Sequence, residues 1–349
     1  MTENNVHLWV RAEQRDNEAR VGLTPEGAAK LINEGMRITV EQSHQRAIPI
    51  NEYAAAGCEI APQASWPDAP KDAIIFGLKE LPEDGTPLHH QHIMFGHAYK
   101  GQTAGRKLLD RFNEGGGTLY DLEYLTDSQG RRVAAFGYWA GFAGAAVTIL
   151  DWAAQNSGGQ LGSVSAYKDA KSMTHAVASA LSEVKLRALV IGALGRVGSG
   201  ATDMCRKVGI ETTGWDIEET AHGGPFPEIL EHDLFFNCIL ARPGTPVFVP
   251  ATAPTQPRNL RVIGDIACDP DSAFSPIKIY ENATSWDNPV VRVHDNPVLD
   301  VMAIDNLPSL LPRESSEDFA SQLLPHLANL GRISEGVWAR AKAEFLAHR

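Results

Sequence analysis

The sequence predicts an α/β protein of two domains, each with a parallel sheet flanked by helices. Three observations support this class. The chain has 349 residues, enough for two domains of ordinary size. Short apolar runs alternate with helical patterns along most of its length. One of these runs leads into a glycine-rich turn, residues 192–200, which opens a helix in the manner of a Rossmann-like fold.

Composition narrows the class of function before any motif is considered. The formal net charge is −12 and hydrophobic residues make up 43% of the chain, which is typical of a soluble globular protein. No basic stripe is available to neutralise phosphates, so nucleic acid is excluded as a partner. The four cysteines lie far apart without a CxxC pair, which indicates reduced thiols of a cytoplasmic protein and no zinc framework. The polar residues 1–5 lack the apolar core of a secretory signal.

The first domain is predicted from alternating strand and helix patterns. Thr24 is suited to cap a helix that has Pro25 at its first position. The predicted helices cover residues 24–31, 50–56 and 104–112, and the predicted strands cover 7–10, 38–41, 58–60, 72–79, 92–97 and 118–123. We expect the helical tail after residue 314 to return to this domain.

Residues 133–150 form an uncharged stretch long enough to cross a membrane. Three glycines, several alanines, Tyr138 and Trp139 lie within it, and it would be the only such segment. These features favour a buried strand end that continues into a tightly packed helix. We therefore expect no membrane association.

The second domain begins its sheet at the glycine-rich turn. Gly192, Gly195 and Gly198 have the spacing G-x-x-G-x-x-G, which departs from the usual G-x-G-x-x-G. The apolar run at 188–191 and the helical pattern at 201–208 flank this turn, and further strands are predicted at 210–216, 233–240 and 261–266. Asp216 stands 24 residues after Gly192, where an acid holds the adenosine ribose and repels a 2′-phosphate. This pattern predicts a site for NAD rather than NADP, although a structural glycine turn in another α/β unit is the alternative.

Several ionisable residues are placed for chemistry. Lys79 and His97 each finish an apolar run, so both are candidate acid–base groups at the end of a strand, or else ordinary surface residues there. Glu123 also ends a strand and is suited to tune the lysine by its charge. The arginines at 20, 131 and 132 are suited to binding carboxylates, with a salt-bridged surface turn as the alternative. His89, His90, His92 and His97 lack regular ligand spacing, so no metal site is predicted.

Specific motifs make the chain recognisable from end to end. They are Arg11-Ala12-Glu13, Glu18-Ala19-Arg20, Leu23-Thr24-Pro25, Gly77-Leu78-Lys79-Glu80, His97-Ala98-Tyr99-Lys100, residues 117–123, 130–137, 192–196, 215–217, 223–226 and 307–314. With these motifs the chain resembles the NAD-dependent, lysine-forming saccharopine dehydrogenases. It resembles more distantly the alanine dehydrogenase and transhydrogenase group, which shares a two-domain architecture.

The resemblance implies a function and a set of site residues. The implied enzyme is monomeric and converts saccharopine, NAD⁺ and water to L-lysine, 2-oxoglutarate and NADH in the cleft between its domains. Lys79 would be the base for the secondary amine and His97 would handle protons during imine hydrolysis. The substrate would be held by Arg20, Lys79, Gln102, Glu123, Arg132 and Phe136. NAD would be held by Arg131, Gly192, Gly195, Arg196, Gly198, Asp216, Thr220, Leu240, Ile266, Ile304, Asp305, Asn306 and Leu307.

The same resemblance implies domain boundaries and one departure from the family. The substrate-side domain would comprise residues 1–135 and 315–349, and the NAD-binding domain residues 136–314. Fungal members carry a cysteine where this chain has Val197, able to pair with the one matching Cys238, so that disulfide cannot form here. Two other readings stay open: an alanine dehydrogenase-like or other opine dehydrogenase, and a non-catalytic NAD-binding module.

Overall fold

A computed structural model describes residues 6–181 and 184–349 of the chain. These residues divide into two compact units. The first contains the residues up to Ala135 together with Pro312–Arg349, and the second is Phe136–Leu311. The first unit is therefore built from both ends of the sequence, with the second unit inserted between them.

Strands and helices alternate through both units. In chain order the strands are β1 (His7–Val10), β2 (Arg37–Glu41), β3 (Glu59–Ala61), β4 (Ile74–Phe76), β5 (Gln91–Met94), β6 (Thr118–Asp121), β7 (Arg187–Ile191), β8 (Glu211–Trp215), β9 (Leu234–Asn237), β10 (Val262–Asp265), β11 (Val290–Asp295) and β12 (Val298–Met302). The α-helices are α1 (Pro25–Asn33), α2 (Ile50–Ala55), α3 (Thr103–Gly115), α4 (Gly137–Asn156), α5 (Ala170–Ala180), α6 (Arg196–Lys207), α7 (Ile217–Thr220), α8 (Glu228–Glu231), α9 (Pro312–Leu327) and α10 (Gly336–His348).

The first unit is organised around a six-stranded parallel sheet of order β3-β2-β1-β4-β5-β6. Its central strands are apolar on both faces because helices cover both sides, and Leu8, Ile75 and Ile93 are fully buried. Thr24 caps α1 as the sequence predicts, since its hydroxyl accepts a hydrogen bond of 3.2 Å from the Gly27 amide. Because all its strands are parallel, their carboxyl ends lie along one edge of this sheet.

The C-terminal helices complete the first unit. Trp338 of α10 is 1% exposed, its ring meets Tyr120 of β6 edge-on at 5.9 Å, and its indole N–H donates to the His326 carbonyl at 3.0 Å. Phe345 packs edge-on against Phe112 of α3 at 5.6 Å. Helix α10 thus packs on the edge strand β6 and shields its apolar side chains from water.

The second unit has its own six-stranded sheet, of order β11-β12-β10-β9-β7-β8. All pairs are parallel except β11 with β12, which are antiparallel. Helices α4 and α6 pack backbone to backbone on this sheet. A Cβ on Gly141 would lie 1.8 Å from the Val197 carbonyl oxygen, and a Cβ on Gly200 would lie 1.9 Å from the Tyr138 carbonyl oxygen. Only glycine allows this close approach.

The apolar stretch at 133–150 differs in one respect from the expectation. Residues 133–136 form a loop rather than a strand end, and α4 begins at Gly137. No helix in the described ranges has the run of apolar residues that a bilayer-spanning helix requires.

The strands also end earlier than the apolar runs predict. Strands β4, β5 and β6 end at Phe76, Met94 and Asp121. Lys79, His97 and Glu123 therefore lie in the loops that follow and do not finish the strands. The reason is that the loops begin with buried apolar residues of their own, Leu78, Phe95 and Leu122. Because these residues are apolar and buried, they extend the strand pattern in the sequence, although their backbones have already left the sheet.

Candidate functional site

The candidate acid–base residues lie at the carboxyl edge of the first sheet. Lys79 follows β4 and His97 follows β5, which are hydrogen-bonded neighbours, and Glu123 follows β6 next to β5. His97 has a left-handed backbone, with φ 48°, which turns the chain sharply after the strand. Ligands of open α/β sheets bind beyond this edge. Three of the predicted residues are thus brought to the part of the sheet where chemistry is expected.

Glu123 is the centre of a cluster formed by two positive side chains and one histidine. Its carboxylate lies 3.5 Å from His97 Nδ1, 3.1 Å from Lys100 Nζ and 3.5 Å from Arg132 Nη2. The hydrogen bond to His97, followed by those to Lys100 and the charge of Arg132, holds the pKa of Glu123 at about 2 although its partial burial acts in the opposite direction. The side chain is therefore an anion at neutral pH, and it lies beside the imidazole of His97.

Arg20 is paired within the unit. Its Nε donates to Glu18 Oε1 at 2.8 Å and its Nη2 to Oε2 at 2.6 Å, and both side chains are almost fully buried. Burial alone would raise the pKa of Glu18, but hydrogen bonds from Arg20 and the charges of Arg20 and Lys79 together lower it. The ammonium of half-buried Lys79 is consequently within electrostatic reach of this carboxylate. Arg20, Glu18 and Lys79 form one charged group.

Of two further predicted residues of the first unit, Gln102 lies near His97 and Arg131 does not. Gln102 is the residue before α3 and lines an open groove of about 710 Å³ together with His97. Arg131 is exposed and paired with Asp127, with Nη2 2.9 Å from Oδ2. The structure therefore places Gln102 beside His97, while Arg131 belongs to a separate surface turn.

In the second unit the glycine turn has the geometry of a phosphate cradle. Gly192 follows β7 with φ +87°, and a Cβ there would lie 2.6 Å from Ile239 Cγ2. A Cβ on Gly198 would lie 2.1 Å from the Gly192 carbonyl oxygen. Gly195 is the residue before α6, so Arg196 opens that helix and its unpaired N–H groups face the turn. These residues fit a dinucleotide, whose pyrophosphate needs close backbone approach at a helix N-terminus.

Asp216 ties this turn to the next strand. One of its carboxylate oxygens accepts the Leu194 N–H at 3.1 Å and the other accepts the Ile217 N–H at 3.0 Å. It caps α7 with a reciprocal bond from its own N–H to Glu219 at 2.7 Å, and the Thr220 hydroxyl donates to its carbonyl at 2.8 Å. The acid thus stands at the end of β8, beside the glycine turn, as a ribose-binding acid would.

The remaining predicted cofactor residues gather at the same edge. Leu240 follows β9 and is 56% exposed, and Ile266 follows β10. Ile304–Leu307 follow β12, with Ile304 and Leu307 buried and Asp305 exposed. Helix α4 brings two of them together, because a Cβ on Gly144 would meet Ile266 at 2.7 Å and Leu307 at 3.0 Å. Phe136 immediately precedes α4, next to Gly137, which lies against Arg196.

Three of the four clustered histidines, His89, His90 and His92, contact neighbouring groups of the first unit. His89 and His90 hydrogen-bond to the carbonyls of Gly115 and Ala69, at 2.8 and 3.2 Å. Burial lowers the pKa of His92 well below its usual value, and its ring packs on Trp66 and Phe112. Within residues 6–181 and 184–349, no group of three His, Cys, Asp or Glu side chains is arranged to hold a metal ion.

Sequence reasoning gave no role to three charged residues of the site. Arg11 and Glu13 follow β1 and contact the loop that carries Lys79, and Lys100 binds Glu123. Their signal in the sequence is their place in the motifs 11–13 and 97–100. Position in a motif does not distinguish a residue that contacts substrate from one that supports a loop.

Comparison with known proteins gives the family. Residues 9–143 match the family described as "Alanine dehydrogenase/PNT, N-terminal domain". Saccharopine dehydrogenase (NAD⁺, L-lysine-forming) of Candida albicans is 44% identical, covering 100% of this chain and 98% of its own. The enzyme of the same name from Schizosaccharomyces pombe is 46% identical over 96% of each chain. The chain belongs to the family of NAD-dependent, L-lysine-forming saccharopine dehydrogenases.

A solved structure agrees at the level of the fold. An L-alanine dehydrogenase superimposes on this saccharopine dehydrogenase family member with a TM-score of 0.69, covering 98% of this chain and 94% of the other, at 17% sequence identity. At that identity the likeness establishes the Rossmann-like architecture and carries no information on the substrate.

Proposed function

We propose that this chain catalyses the reversible NAD-dependent conversion of saccharopine and water to L-lysine and 2-oxoglutarate, with NADH and a proton as the other products. The observation that carries the proposal is identity of 44–46% to saccharopine dehydrogenases over 96–100% of the chain. The inventory of the first unit supports it, since a substrate with three carboxylates suits a cluster of arginines and lysines. We also propose a cytoplasmic, monomeric enzyme.

The cofactor is proposed to bind at the carboxyl edge of the second sheet. Gly192, Gly195, Arg196 and Gly198 would hold its pyrophosphate, and Asp216 its adenosine ribose. The remaining members of the set at this sheet are Thr220, Leu240, Ile266, Ile304, Asp305, Asn306 and Leu307, and the resemblance adds Arg131 of the first unit. NAD⁺, when bound, accepts a hydride from the glutamyl α-carbon of saccharopine.

The residues of the chain are proposed to move protons. Lys79 takes the proton of the secondary amine, and the nearby carboxylate of Glu18 stabilises the resulting ammonium. His97, oriented by Glu123, removes a proton from the water that attacks the imine carbon. The carbinolamine then collapses: its hydroxyl loses a proton to solvent as the C=O bond of 2-oxoglutarate forms, the C–N bond breaks, and the leaving nitrogen of lysine takes the proton from His97. Arg20, Gln102, Arg132 and Phe136 are proposed to bind the substrate.

The deciding experiment follows NADH absorbance with two substrate pairs. Lysine plus 2-oxoglutarate should be consumed with NADH, and pyruvate plus ammonia should give no reaction. Lys79→Met and His97→Gln should each lower kcat by on the order of 100-fold or more, the usual contribution of a general acid or base. NADH binding, measured by protein fluorescence, should survive in both variants. Activity only with pyruvate and ammonia would overturn the substrate assignment, and full turnover by both variants would remove the two catalytic roles.

A further inference from the structure

A buried ion pair lies directly beneath the loop that carries Lys79. Arg11 and Glu13 follow β1, and β1 is the hydrogen-bonded neighbour of β4, which leads into that loop. Arg11 is 2% exposed and Glu13 is 7% exposed, and Arg11 Nη1 lies 3.3 Å from Glu13 Oε2. Burying two opposite charges is unfavourable unless further hydrogen bonds satisfy both groups. The position of those further bonds therefore indicates what the pair does.

Both carboxylate oxygens of Glu13 accept hydrogen bonds from the backbone of the loop. Its Oε1 accepts the Leu78 N–H at 2.6 Å, and its Oε2 accepts the Lys79 N–H at 2.9 Å. Two successive backbone donors are thus bound by the two oxygens of one carboxylate. This fork fixes the orientation of both peptide planes on either side of the Leu78 Cα.

Arg11 binds the same loop at the carbonyl group of Lys79, whereas Glu13 binds its N–H group. Its Nη2 donates a hydrogen bond to the Lys79 carbonyl oxygen, and its Nη1 also donates to the Ala12 carbonyl at 3.2 Å. The Leu78 carbonyl is held by the Phe95 N–H at 3.0 Å, from the loop after β5. The N–H and C=O groups of Leu78 and Lys79 are therefore all bound, although these residues lie outside any helix or strand.

Gly77 makes room for the guanidinium. A Cβ at this position would lie 2.4 Å from both Cζ and Nε of Arg11. Any larger residue would displace the planar group from under the loop. The contact of Gly77 with Arg11 gives an independent way to disturb the pair without changing a charge.

We propose that Arg11 and Glu13 are positioning residues that set the backbone of Leu78 and Lys79 and so hold the Lys79 amino group at its working place. Neither is proposed to touch substrate. The inference rests on the proposed function of Lys79. It assigns to the pair the support that a catalytic group requires, because a displacement of about 1 Å at a reacting group costs up to about 100-fold in rate.

The test compares Glu13→Gln with Glu13→Asp. Glutamine keeps the size of the side chain but replaces one acceptor oxygen with an N–H₂ donor, which faces the backbone donors of the loop. Aspartate is shorter but keeps two acceptor oxygens. If Glu13 acts through its acceptors, kcat falls on the order of 10- to 100-fold in E13Q, less in E13D, and the Kd for NADH is unchanged in both. If it acts only by filling space, E13Q is the milder variant, which would overturn the proposal.

Two further variants provide an independent disturbance of Arg11 and a control for the loss of an ion pair elsewhere in the sheet. Gly77→Ala displaces Arg11 with no change in charge, so its kcat should fall in the same range as that of E13Q. Glu59→Gln is the matched control, because Glu59 forms a bidentate pair with Arg37 in the same sheet but is exposed, and its strand β3 is separated from β4 by β2 and β1. Its kcat should equal that of the native enzyme. If E13Q does not fold, G77A and E13D decide, and native kcat in G77A overturns the proposal.

A readout independent of activity separates this inference from the proposed function. Acylation by an N-hydroxysuccinimide ester, followed by mass spectrometry, gives the labelling rate of Lys79 relative to that of exposed Lys30. A loosened loop exposes half-buried Lys79, so the ratio should rise in E13Q and G77A and stay native in E59Q. An inactive native enzyme would defeat the proposed function alone, whereas an unchanged labelling ratio would defeat the positioning role.

Discussion

Buried acids of the second unit illustrate how single residues set a dependence on pH. Asp151 of α4 and Asp300 of β12 are both fully buried and interact with each other. Asp300 pairs with Arg292 through hydrogen bonds of 2.5 and 3.1 Å and accepts a hydrogen bond from the Gln155 side chain at 2.6 Å. Burial, reinforced by the negative charge of Asp300, raises the pKa of Asp151 to about 7. The neutral form of Asp151 is therefore the one that the fold accommodates.

The sign of the linkage follows from this shift. The folded state binds a proton on Asp151 up to about pH 7, while the unfolded state releases it near the ordinary value of 3.8. Asp151 therefore favours folding fully below pH 3.8, and this contribution is lost as pH rises to 7. Asp151→Asn mimics the protonated acid at every pH. Relative to the native protein, its free energy of unfolding should gain little at pH 4 and on the order of 4 kcal/mol at pH 8.

Urea denaturation at the two pH values measures this difference. Asp300→Asn is the informative partner variant, because it leaves Arg292 without its buried counter-ion and should destabilise the protein at both pH values. An equal gain by D151N at pH 4 and pH 8 would contradict the assigned protonation state.

Among the elements, the pairing of α4 with α6 depends most directly on single glycines. Gly200→Ala would place a methyl group 1.9 Å from the Tyr138 carbonyl oxygen, and backbone at this contact cannot yield as a flexible side chain does. The two helices must separate. We expect a loss of about 1–3 kcal/mol in the free energy of unfolding, the usual cost of overpacking. Gly162→Ala is the matched control, since a Cβ there meets nothing within 4 Å. Similar urea midpoints for G200A and G162A would refute the packing argument.

The elements also define how far the sequence predicts the fold. Alternating apolar runs and the Thr24 cap predict all six strands of the first sheet, β7–β10 of the second sheet, and helices α1–α4 and α6, but not β11, β12, α5, α7 or α8. The ends of β4, β5 and β6 are predicted two or three residues too late, because buried Leu78, Phe95 and Leu122 continue the apolar pattern after the backbone has left the sheet. The periodicity of apolar residues indicates which residues are buried, but it does not indicate where the hydrogen bonds between strands end.

The candidate site is less predictable than the fold for a related reason. Arg11 and Glu13 have the sequence appearance of a solvated turn, since charged residues are seldom buried. They are buried because each satisfies backbone groups of a loop that lies 65 residues or more further along the chain. Contacts at such separation leave no local pattern. Family resemblance alone brings Lys79, His97 and the glycine turn into one hypothesis.

At the scale of the molecule, the two units should differ in their response to changes in the C-terminal helix. Trp338→Ala removes a fully buried side chain from the first unit and should cost about 3–5 kcal/mol in that unit. Hydrogen exchange should become faster in β5 and β6 and stay native in β9 and β10. Leu346→Ala, at a position 51% exposed on the same helix, is the control and should change neither. Equal acceleration in both sheets would mean that the units open together.

The insertion of one unit within the other has a consequence for biosynthesis. A ribosome completes residues 136–311 while the segment from Pro312 onward is still untranslated. During that interval β6 lacks the helix that packs on it, and Phe112 and Tyr120 lack their partners Phe345 and Trp338. We therefore expect residues 136–311 to complete their fold before the first unit does, because β6 gains the helix that packs on it only after α10 has been synthesised.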